Sequence, residues 1–191
     1  MTLLQIMADA DGRVLHRIED VDTIGAELRA HLIGFDRWAA TASLAADAGT
    51  EEVLEAYRKD VDVLCERDRY RLVDVVRMTP GDDPGWAEKA AAARQKFLAE
   101  HTHDEDEVRF FVEGRGCFYL HLGDRVYATV CEAGDLLSVP TGTRHWFDMG
   151  TRPHFTAIRF FQEEDGWVGN FTGDPVARRI PHLDELLSLA P

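Results

Sequence analysis

The second half of the chain alternates short β-favouring runs with turns, and this pattern limits the fold more than any other feature. Between residues 101 and 162 the runs VRFFVE, CFYLHL, RVYATVC, LLSVP, HWFDMG and HFTAIRFF are rich in β-branched and aromatic residues. The sequences GRG, LGDR, EAGD, PTGT and GTRP separate them as turns. Short strands at this spacing predict a small antiparallel barrel or sandwich.

The first half favours helices after a short extended segment, Thr2–Ile6. Aliphatic residues have helical spacing in Thr23–Leu32, Thr50 is interpreted as an N-cap, and WAEKAAAARQKFLAEH has strong helix propensity. We therefore predict one domain that is mainly β with helices. Its parts are a helical or mixed N-terminal part over about residues 1–98, barrel strands over about 99–162, and loops with a short C-terminal helix over 163–191.

The charge balance excludes several classes of partner. The chain has 21 basic and 35 acidic residues and a net charge of −14, which repels phosphate backbones and anionic lipids. Nucleic acid and membrane partners are therefore not expected. The N-terminal sequence lacks the pattern of a secretory signal, and no apolar run is long enough to span a membrane. We expect a cytoplasmic protein whose three cysteines, without CxxC spacing, are reduced: Cys65, Cys117 and Cys131.

Two histidines, a glutamate and an arginine share one face if the segment EHTHDEDEVRFFVEG is extended. Side chains alternate between faces with a period of two, so His101, His103, Glu107, Arg109 and Phe111 point the same way. Two imidazoles and one carboxylate on one face can bind a divalent first-row metal. We predict a metal site here.

A fourth ligand is predicted downstream, in CEAGDLLSVPTGTRHWFDM. A turn built from Pro140 and Gly142 returns the chain, and His145 opens the next strand. A histidine just after a turn glycine is a common accident by itself. It becomes informative together with the first ligand set.

The two segments together resemble the two motifs of the cupin superfamily. The pattern HxHxxxExxxxxxG runs from His101 to Gly114, and GxxxxxPxGxxH runs from Gly134 to His145. Two positions depart from the motifs: Gln95 stands where the first motif opens with glycine, and Met149 stands where the second closes with asparagine. The resemblance implies a cupin-type double-stranded β-helix, or jelly-roll, barrel.

The amino-acid sequences of these segments also resemble one particular family within the superfamily. FLAEHTHDEDEVRFFVEG, LLSVPTGTRHWFDMG, FTAIRFF and GWVGNFTGD resemble the acireductone dioxygenase family of the methionine salvage pathway, over about Phe97–Asp174. The resemblance implies a metal-dependent enzyme that cleaves 1,2-dihydroxy-3-keto-5-methylthiopentene with dioxygen. The iron form gives formate and 4-methylthio-2-oxobutanoate, whereas the nickel form gives carbon monoxide, formate and 3-methylthiopropanoate.

The resemblance also implies roles for individual residues. One Fe(II) or Ni(II) ion per chain would be held by His101, His103, Glu107 and His145. Arg109, which cannot lose its proton, would stabilise the dianionic substrate. The pocket is assigned to Phe97, Phe147 and Trp167, and a weaker role in metal loading or ligand orientation is assigned to Glu100 and Asp106.

Several alternatives stay open. Glu105 has the parity of the ligands and would also approach the metal unless the DEDE segment forms an irregular turn. Arg109 could instead form a structural ion pair with Glu105 or Glu107. Asp104 is by default part of a solvated turn. The remaining histidines are interpreted as surface or satisfied core residues, namely His16, His31, His121, His154 and His182.

The aromatic residues at strand spacing are more often barrel core than pocket wall. This interpretation applies to Phe110, Phe111, Phe147, Phe160 and Phe161. Of these, only Phe147 is assigned to the pocket wall, because of the resemblance.

Two other functions compete with the dioxygenase. One is a different metal-dependent cupin enzyme, and the other is a cupin sensor or scaffold without turnover. The complete ligand set and the lack of a basic domain favour the dioxygenase, as does Arg109 in VRFF. The expected partners are the acireductone and dioxygen, and we expect a monomer.

Overall fold

The computed structural model describes residues 1–42, 44–45, 48–81, 84–164, 166 and 168–188. Its strands are β1 (Leu3–Ala8), β2 (Val14–Ile18), β3 (Gly34–Arg37), β4 (Leu72–Met78), β5 (His101–Thr102), β6 (Glu107–Leu122), β7 (Arg125–Glu132), β8 (Asp135–Val139), β9 (His145–Asp148), β10 (Phe155–Phe161) and β11 (Asn170–Phe171). Its helices are α1 (Val21–Arg29), α2 (Thr50–Ala56), α3 (Arg58–Asp68), α4 (Trp86–Phe97), a 3₁₀ helix (Pro175–Arg179) and α5 (Leu183–Ser188). None of the helices described is long and apolar enough to cross a bilayer.

The strands form two antiparallel layers that share β6. One layer has the order β11-β5-β9-β6-β7-β1-β2. The other contains β4, β10, β6, β8 and β3, each paired with its neighbour in that order. This arrangement confirms the prediction of a mainly β fold with helices.

The strand β6 crosses from one layer to the other. Its first half pairs with β8 and β10, and its second half, from Arg115, pairs with β7 and β9. Gly114 lies at the crossing with φ +68, and a Cβ atom there would lie 1.8 Å from the carbonyl oxygen of His154. Only glycine fits both this conformation and this contact.

The core lies between the layers and on their outer faces. Phe111, Phe118 and Phe147 are buried between the layers. The C-terminal 3₁₀ helix and α5 cover the outer face of one layer around Trp146. The helices α2 and α3 cover the other layer around Phe110.

The N-terminal half is less helical than predicted. The extended segment at Thr2–Ile6 is confirmed as β1, but β2, β3 and β4 also belong to the layers. β1 pairs with β2 and β7, and both of its faces are buried. Leu4 and Ile6 belong to the core between the layers, whereas Leu3 and Met7 belong to the cluster under the C-terminal helices. These segments become strands because they pair with other strands, and local residue spacing does not reveal such pairing.

Two helix boundaries also differ from the prediction. The first helix ends at Arg29, and Leu32 lies outside it with a φ of +65. Gly49, rather than Thr50, is the N-cap of the second helix, where its N–H donates to the Glu52 carboxylate at 2.8 Å. The helical interpretation of residues 86–97 is confirmed by α4.

Candidate metal centre

Four side chains from three short segments converge in one place. His101 lies on β5, His103 in the turn that follows it, Glu107 at the start of β6 and His145 at the start of β9. Potential ligand atoms of the four residues all lie within 4.8 Å of one another, and all four residues are buried. The register of β5 and β9 places His101 directly opposite His145. The structure therefore brings together all four residues predicted as ligands.

The three imidazoles are oriented by backbone carbonyls. The Nδ1 atoms of His101, His103 and His145 each lie 2.8 Å from a carbonyl oxygen, those of Ala99, Val168 and Thr143 respectively. A carbonyl oxygen only accepts hydrogen bonds, so each Nδ1 carries the proton and donates it. In the neutral ring the lone pair is then on Nε2, which is the arrangement needed to bind a metal.

The carboxylate of Glu107 contacts two imidazole nitrogens and one guanidinium group. Its Oε2 lies 2.6 Å from His145 Nε2 and 3.4 Å from His103 Nε2, and its Oε1 lies 2.5 Å from Arg109 Nη2. Burial alone raises the pKa of Glu107, but the charge of Arg109 and the bonds from the two histidines outweigh it. The pKa is therefore held well below its usual range, and the group is an anion.

The pKa values of two of the imidazoles are shifted in opposite directions. It lowers the pKa of His101 to about 4, with a further contribution from His145, so the ring is neutral at neutral pH. Burial also acts to lower the pKa of His103, but the bond to Glu107 and its charge outweigh this and raise it. Protons and a metal would therefore compete for the space beside Glu107.

These donors fit a divalent first-row metal. Three nitrogen donors and one carboxylate suit iron, nickel, cobalt or zinc better than calcium or magnesium, which prefer oxygen ligands. The converging Nε2 atoms and the buried anion of Glu107 require a cation or protons between them. Since burial keeps His101 neutral, a metal ion satisfies this cluster better than protons alone.

Arg109 lies next to the cluster and forms an ion pair with Glu107, not with Glu105. Its guanidinium lies 5.1 Å from the ring centre of Phe118 and 4.7 Å from that of Phe147. Burial lowers its pKa against the opposing effect of Glu107. The ion pair considered from the sequence is present, and Arg109 also lines the cavity at the cluster.

Glu105 does not join the cluster, because the chain bends at residues 104–105. Its Oε2 accepts hydrogen bonds from the backbone N–H groups of Gln162 at 2.7 Å and Glu163 at 3.2 Å. The irregular turn that parity alone could not establish is therefore present. Glu105 instead fixes the start of the segment that supplies the Val168 carbonyl.

Glu100 and Asp106 do not contact the imidazoles of the cluster through the hydrogen bonds described. The Glu100 carboxylate bonds to His121 Nδ1 at 2.5 Å and Thr172 Oγ1 at 2.7 Å. Asp106 accepts the N–H of Thr141 at 2.8 Å. Their assigned roles in metal loading and ligand orientation stay predictions. His121, interpreted from the sequence as a surface or satisfied core residue, is buried and bonded to Glu100 and Asp9.

A cavity of about 480 Å³ opens at the cluster. Phe97 and Phe147, which were assigned from the sequence to a substrate pocket, line this cavity, and Phe147 also belongs to the core between the layers. Trp167, the third aromatic residue assigned to the pocket, lies outside the described residues.

Sequence reasoning missed two parts of this cavity. Arg159 and Asp74 line one side, and the segment with Gly166, Val168 and Gly169 lines another. The glycines are a sequence signal for the second part, because glycine often marks a close approach of the backbone to another group. A Cβ at Gly169 would lie 3.1 Å from the His101 ring. No local pattern marked Asp74, since it reaches the cavity through the pairing of β4 with β10.

The amino-acid sequence is similar to a family model and to known proteins. The model of the ARD/ARD' family matches residues 4–169. The chain is 60% identical to acireductone dioxygenase 1 of Nocardia farcinica, over 98% of this chain and 100% of that one. It is 53% identical to the acireductone dioxygenase of Saccharopolyspora erythraea, over 98% of this chain and 99% of that one.

A solved structure agrees with these relatives. The acireductone dioxygenase from Bacillus anthracis, with a cadmium ion in its active centre, is similar with a TM-score of 0.74 and 27% identity, over 90% of this chain and 98% of that one. The expected cupin fold is thereby confirmed. With the family model matching most of the sequence and close relatives along nearly its whole length, the chain belongs to the ARD/ARD' family, the acireductone dioxygenases.

Proposed function

We propose that this protein is a metal-dependent acireductone dioxygenase that cleaves 1,2-dihydroxy-3-keto-5-methylthiopentene with dioxygen. The single observation that carries the proposal is the cluster of three histidines and one glutamate beside a cavity. Membership of the acireductone dioxygenase family supports this choice of reaction.

The ligands proposed for one Fe(II) or Ni(II) ion are His101, His103, Glu107 and His145. When bound, this ion supplies Lewis acidity toward the oxygens of the substrate. The carbonyl partners of the three Nδ1 atoms keep the Nε2 lone pairs directed at the ion. We propose that the iron-loaded protein gives formate and 4-methylthio-2-oxobutanoate. The nickel-loaded protein gives carbon monoxide, formate and 3-methylthiopropanoate.

Arg109 is proposed to hold the substrate as a dianion. Its guanidinium stays charged because arginine does not deprotonate in proteins. Its Nε is buried and has no hydrogen-bond partner among the described residues. A buried donor without a partner is costly, so an anionic oxygen of the substrate would stabilise it. Contact with Phe118 and Phe147 fixes the direction of the guanidinium.

The aromatic residues are proposed to exclude water from the reacting atoms. Phe97 and Phe147 line the cavity with apolar surface, which suits the thioether tail of the substrate. The same apolar surroundings strengthen the attraction between Arg109 and the dianion. The assignment of Trp167 to this wall stays a prediction.

Dioxygen uptake tests the proposal. Protein prepared without oxygen, loaded with Fe(II) and given a synthetic acireductone should consume dioxygen rapidly. His145→Ala, which removes one proposed ligand, should consume it at the background rate. Metal bound in stoichiometric amount, with uptake no faster than that of His145→Ala, would contradict the acireductone assignment.

We propose in addition that the enzyme is a monomer in the cytoplasm, with the acireductone and dioxygen as its partners. No second chain is needed to complete the cluster, since all four proposed ligands come from one chain. Size-exclusion chromatography with light scattering tests the oligomeric state, and cell fractionation tests the location.

A further inference from the structure

A second arginine lies in the cavity beside Arg109. Arg159 on β10 is directly opposite Arg109 on β6, and Asp74 on β4 is directly opposite Arg159. Directly opposite residues of antiparallel strands project from the same face of a sheet. The three side chains therefore form a row across three strands, and all three line the cavity that opens at the metal centre.

The row runs from the interior toward solvent. The side chain of Arg109 is 8% exposed, that of Arg159 is 23% exposed and that of Asp74 is 48% exposed. Asp74 binds Arg159 through two hydrogen bonds of 2.8 and 2.5 Å. The ring centre of Phe161 lies 5.4 Å from the Arg159 guanidinium. Arg159 is thus held in a fixed direction between the cavity mouth and Arg109.

This placement has a cost that a purely structural role does not explain. Like charges directly opposite each other on neighbouring strands are destabilising, and Arg159 lies opposite Arg109. An ion pair joining β4 to β10 needs only Arg159 and Asp74, and it would be equally good on the outer face of the layer. Inside the cavity, the charge of Arg159 opposes that of Arg109 in the free protein, and an anion bound between the two guanidinium groups would turn this repulsion into an attraction to both.

The sign of the local charge also differs from that of the whole chain. The described residues that line the cavity include the cations Lys96, Arg109 and Arg159 and two carboxylates, Asp74 and Glu107. Glu107 is already paired with Arg109 and is a proposed metal ligand. The chain has a net charge of −14, which repels an approaching anion. A cationic cleft offsets this repulsion because low-dielectric walls concentrate its field.

We propose that Arg159 is a further substrate-binding residue, which draws the acireductone dianion into the cavity and toward Arg109. Asp74 reduces this attraction by neutralising part of the charge of Arg159. The inference rests on the proposed function, which assigns the dianion as substrate, and it adds a second cationic contact to that of Arg109.

A structural ion pair and a substrate-binding charge predict different results for two substitutions. If the pair only joins the strands, Arg159→Gln and Asp74→Asn damage the same interaction and have the same effect. If the charge of Arg159 attracts substrate, Arg159→Gln weakens binding. Asp74→Asn then strengthens it, because the charge is no longer partly neutralised.

The experiment is an anaerobic titration of the Ni(II)-loaded protein with a synthetic acireductone, followed by absorbance, so that binding is measured without turnover. At low ionic strength we expect Arg159→Gln to raise Kd about ten-fold, near the low end of effects in charge-lined clefts. Asp74→Asn should lower Kd about three-fold, the effect of a partly exposed charge. Both differences should shrink near 1 M salt, where the Debye length is about 3 Å.

The matched control is the exposed pair Arg58 and Glu55, whose side chains are 63% and 66% exposed and do not line this cavity. Arg58→Gln and Glu55→Gln make the same charge changes and should leave Kd unchanged. Arg159→Lys keeps the charge and should retain most of the affinity. If Arg159→Gln does not fold, as judged by thermal melting, Asp74→Asn decides between the two hypotheses. A lower Kd would support the inference, and an unchanged or higher Kd would overturn it.

The outcomes separate this inference from the proposed function. Opposite, salt-dependent changes for Arg159→Gln and Asp74→Asn would support it. Wild-type binding with equal losses in both variants, or with no change in either, would overturn the role of Arg159 and leave the dioxygenase proposal intact. Absence of binding by the wild-type protein would overturn both.

Discussion

At the residue scale, one backbone carbonyl fixes the direction of each imidazole in the metal centre. His101 and His145 donate to carbonyls two residues before them, those of Ala99 and Thr143. His103 instead donates to Val168, which is distant in sequence. Two proposed ligands are therefore oriented by their own segments, whereas the third depends on the packing of the chain after β10.

Glu107 supplies the negative charge of the centre, and its removal tests the assigned ligand set. Glu107→Gln keeps the shape of the side chain but leaves three neutral imidazoles without an anionic ligand. For the wild-type protein we expect Ni(II) to raise stability by about 4 kcal/mol when its free concentration is 1,000-fold above Kd. In Glu107→Gln the accompanying rise in Tm should be almost lost.

Glu113→Gln provides the control for this substitution. Glu113 is on the same strand, but its side chain is 42% exposed and pairs with Arg77 rather than with the cluster. Its Tm should rise with Ni(II) as in the wild-type protein. If Glu107→Gln showed the same rise as Glu113→Gln, Glu107 would not be a ligand.

The ligand residues could be predicted from the sequence because alternation and turn glycines place side chains reliably over short distances. The parity argument would also have included Glu105, and only the bend at residues 104–105 removes it. Val168 could not be found in this way. It contributes a carbonyl oxygen, which every residue has, and its position depends on tertiary packing.

At the scale of elements, the crossing of β6 between the layers depends on Gly114. Gly114→Ala should lower the free energy of unfolding by about 3 kcal/mol or more, since it adds a backbone clash to a strained conformation. Gly123→Ala is the matched control, because Gly123 has a similar φ of +65 and no atom lies within 4 Å of an added Cβ. It should cost only about 1 kcal/mol, as urea denaturation would measure. Equal losses would mean that the contact with His154 contributes nothing.

Asp148 joins β9 to two helices and makes stability depend on pH. Its carboxylate binds Arg94 of α4 at 2.6 and 3.0 Å and accepts the N–H of Leu183 in α5 at 2.9 Å. Burial acts to raise its pKa, but these bonds outweigh it and hold the pKa below the ordinary value of 3.8. The unfolded chain therefore takes up the proton more readily. The stabilisation is complete above pH 3.8 and is lost as the pH falls further.

Asp148→Asn should therefore lower the free energy of unfolding at neutral pH by about 3 kcal/mol, as for other broken buried ion pairs. It should also flatten the decline in stability at acid pH. Urea denaturation over a pH series measures both effects. Asp124→Asn, at a side chain that is 90% exposed, should change neither. A decline in Asp148→Asn as steep as in the wild-type protein would mean that other carboxylates cause it.

The strands of the N-terminal half show where local patterns stop being informative. The segments that form β2 and β4 have side chains that suit either a helix or a strand over such short lengths. They become strands because β1 and β10 offer edges for them to pair with. Propensity within a segment does not contain this information, whereas the strands after residue 101 are separated by turns that mark them individually.

At the scale of the whole molecule, two layers and their shared strand place a cationic cavity in an acidic protein. The metal centre lies where β5, β6 and β9 meet, and the row of Asp74, Arg159 and Arg109 leads to it. The sequence predicted the centre and the mainly β fold. It did not predict the row, because three strands far apart in the chain form it.

Analysis of the products from the same protein loaded separately with Fe(II) and Ni(II) is the most direct test of the proposed dioxygenase activity. Each sample receives the acireductone and dioxygen, and carbon monoxide, formate and the carboxylic acid are quantified. We expect the iron sample to give formate and 4-methylthio-2-oxobutanoate without carbon monoxide. The nickel sample should give carbon monoxide, formate and 3-methylthiopropanoate. Stoichiometric binding of both metals with neither set of products would contradict the proposed function.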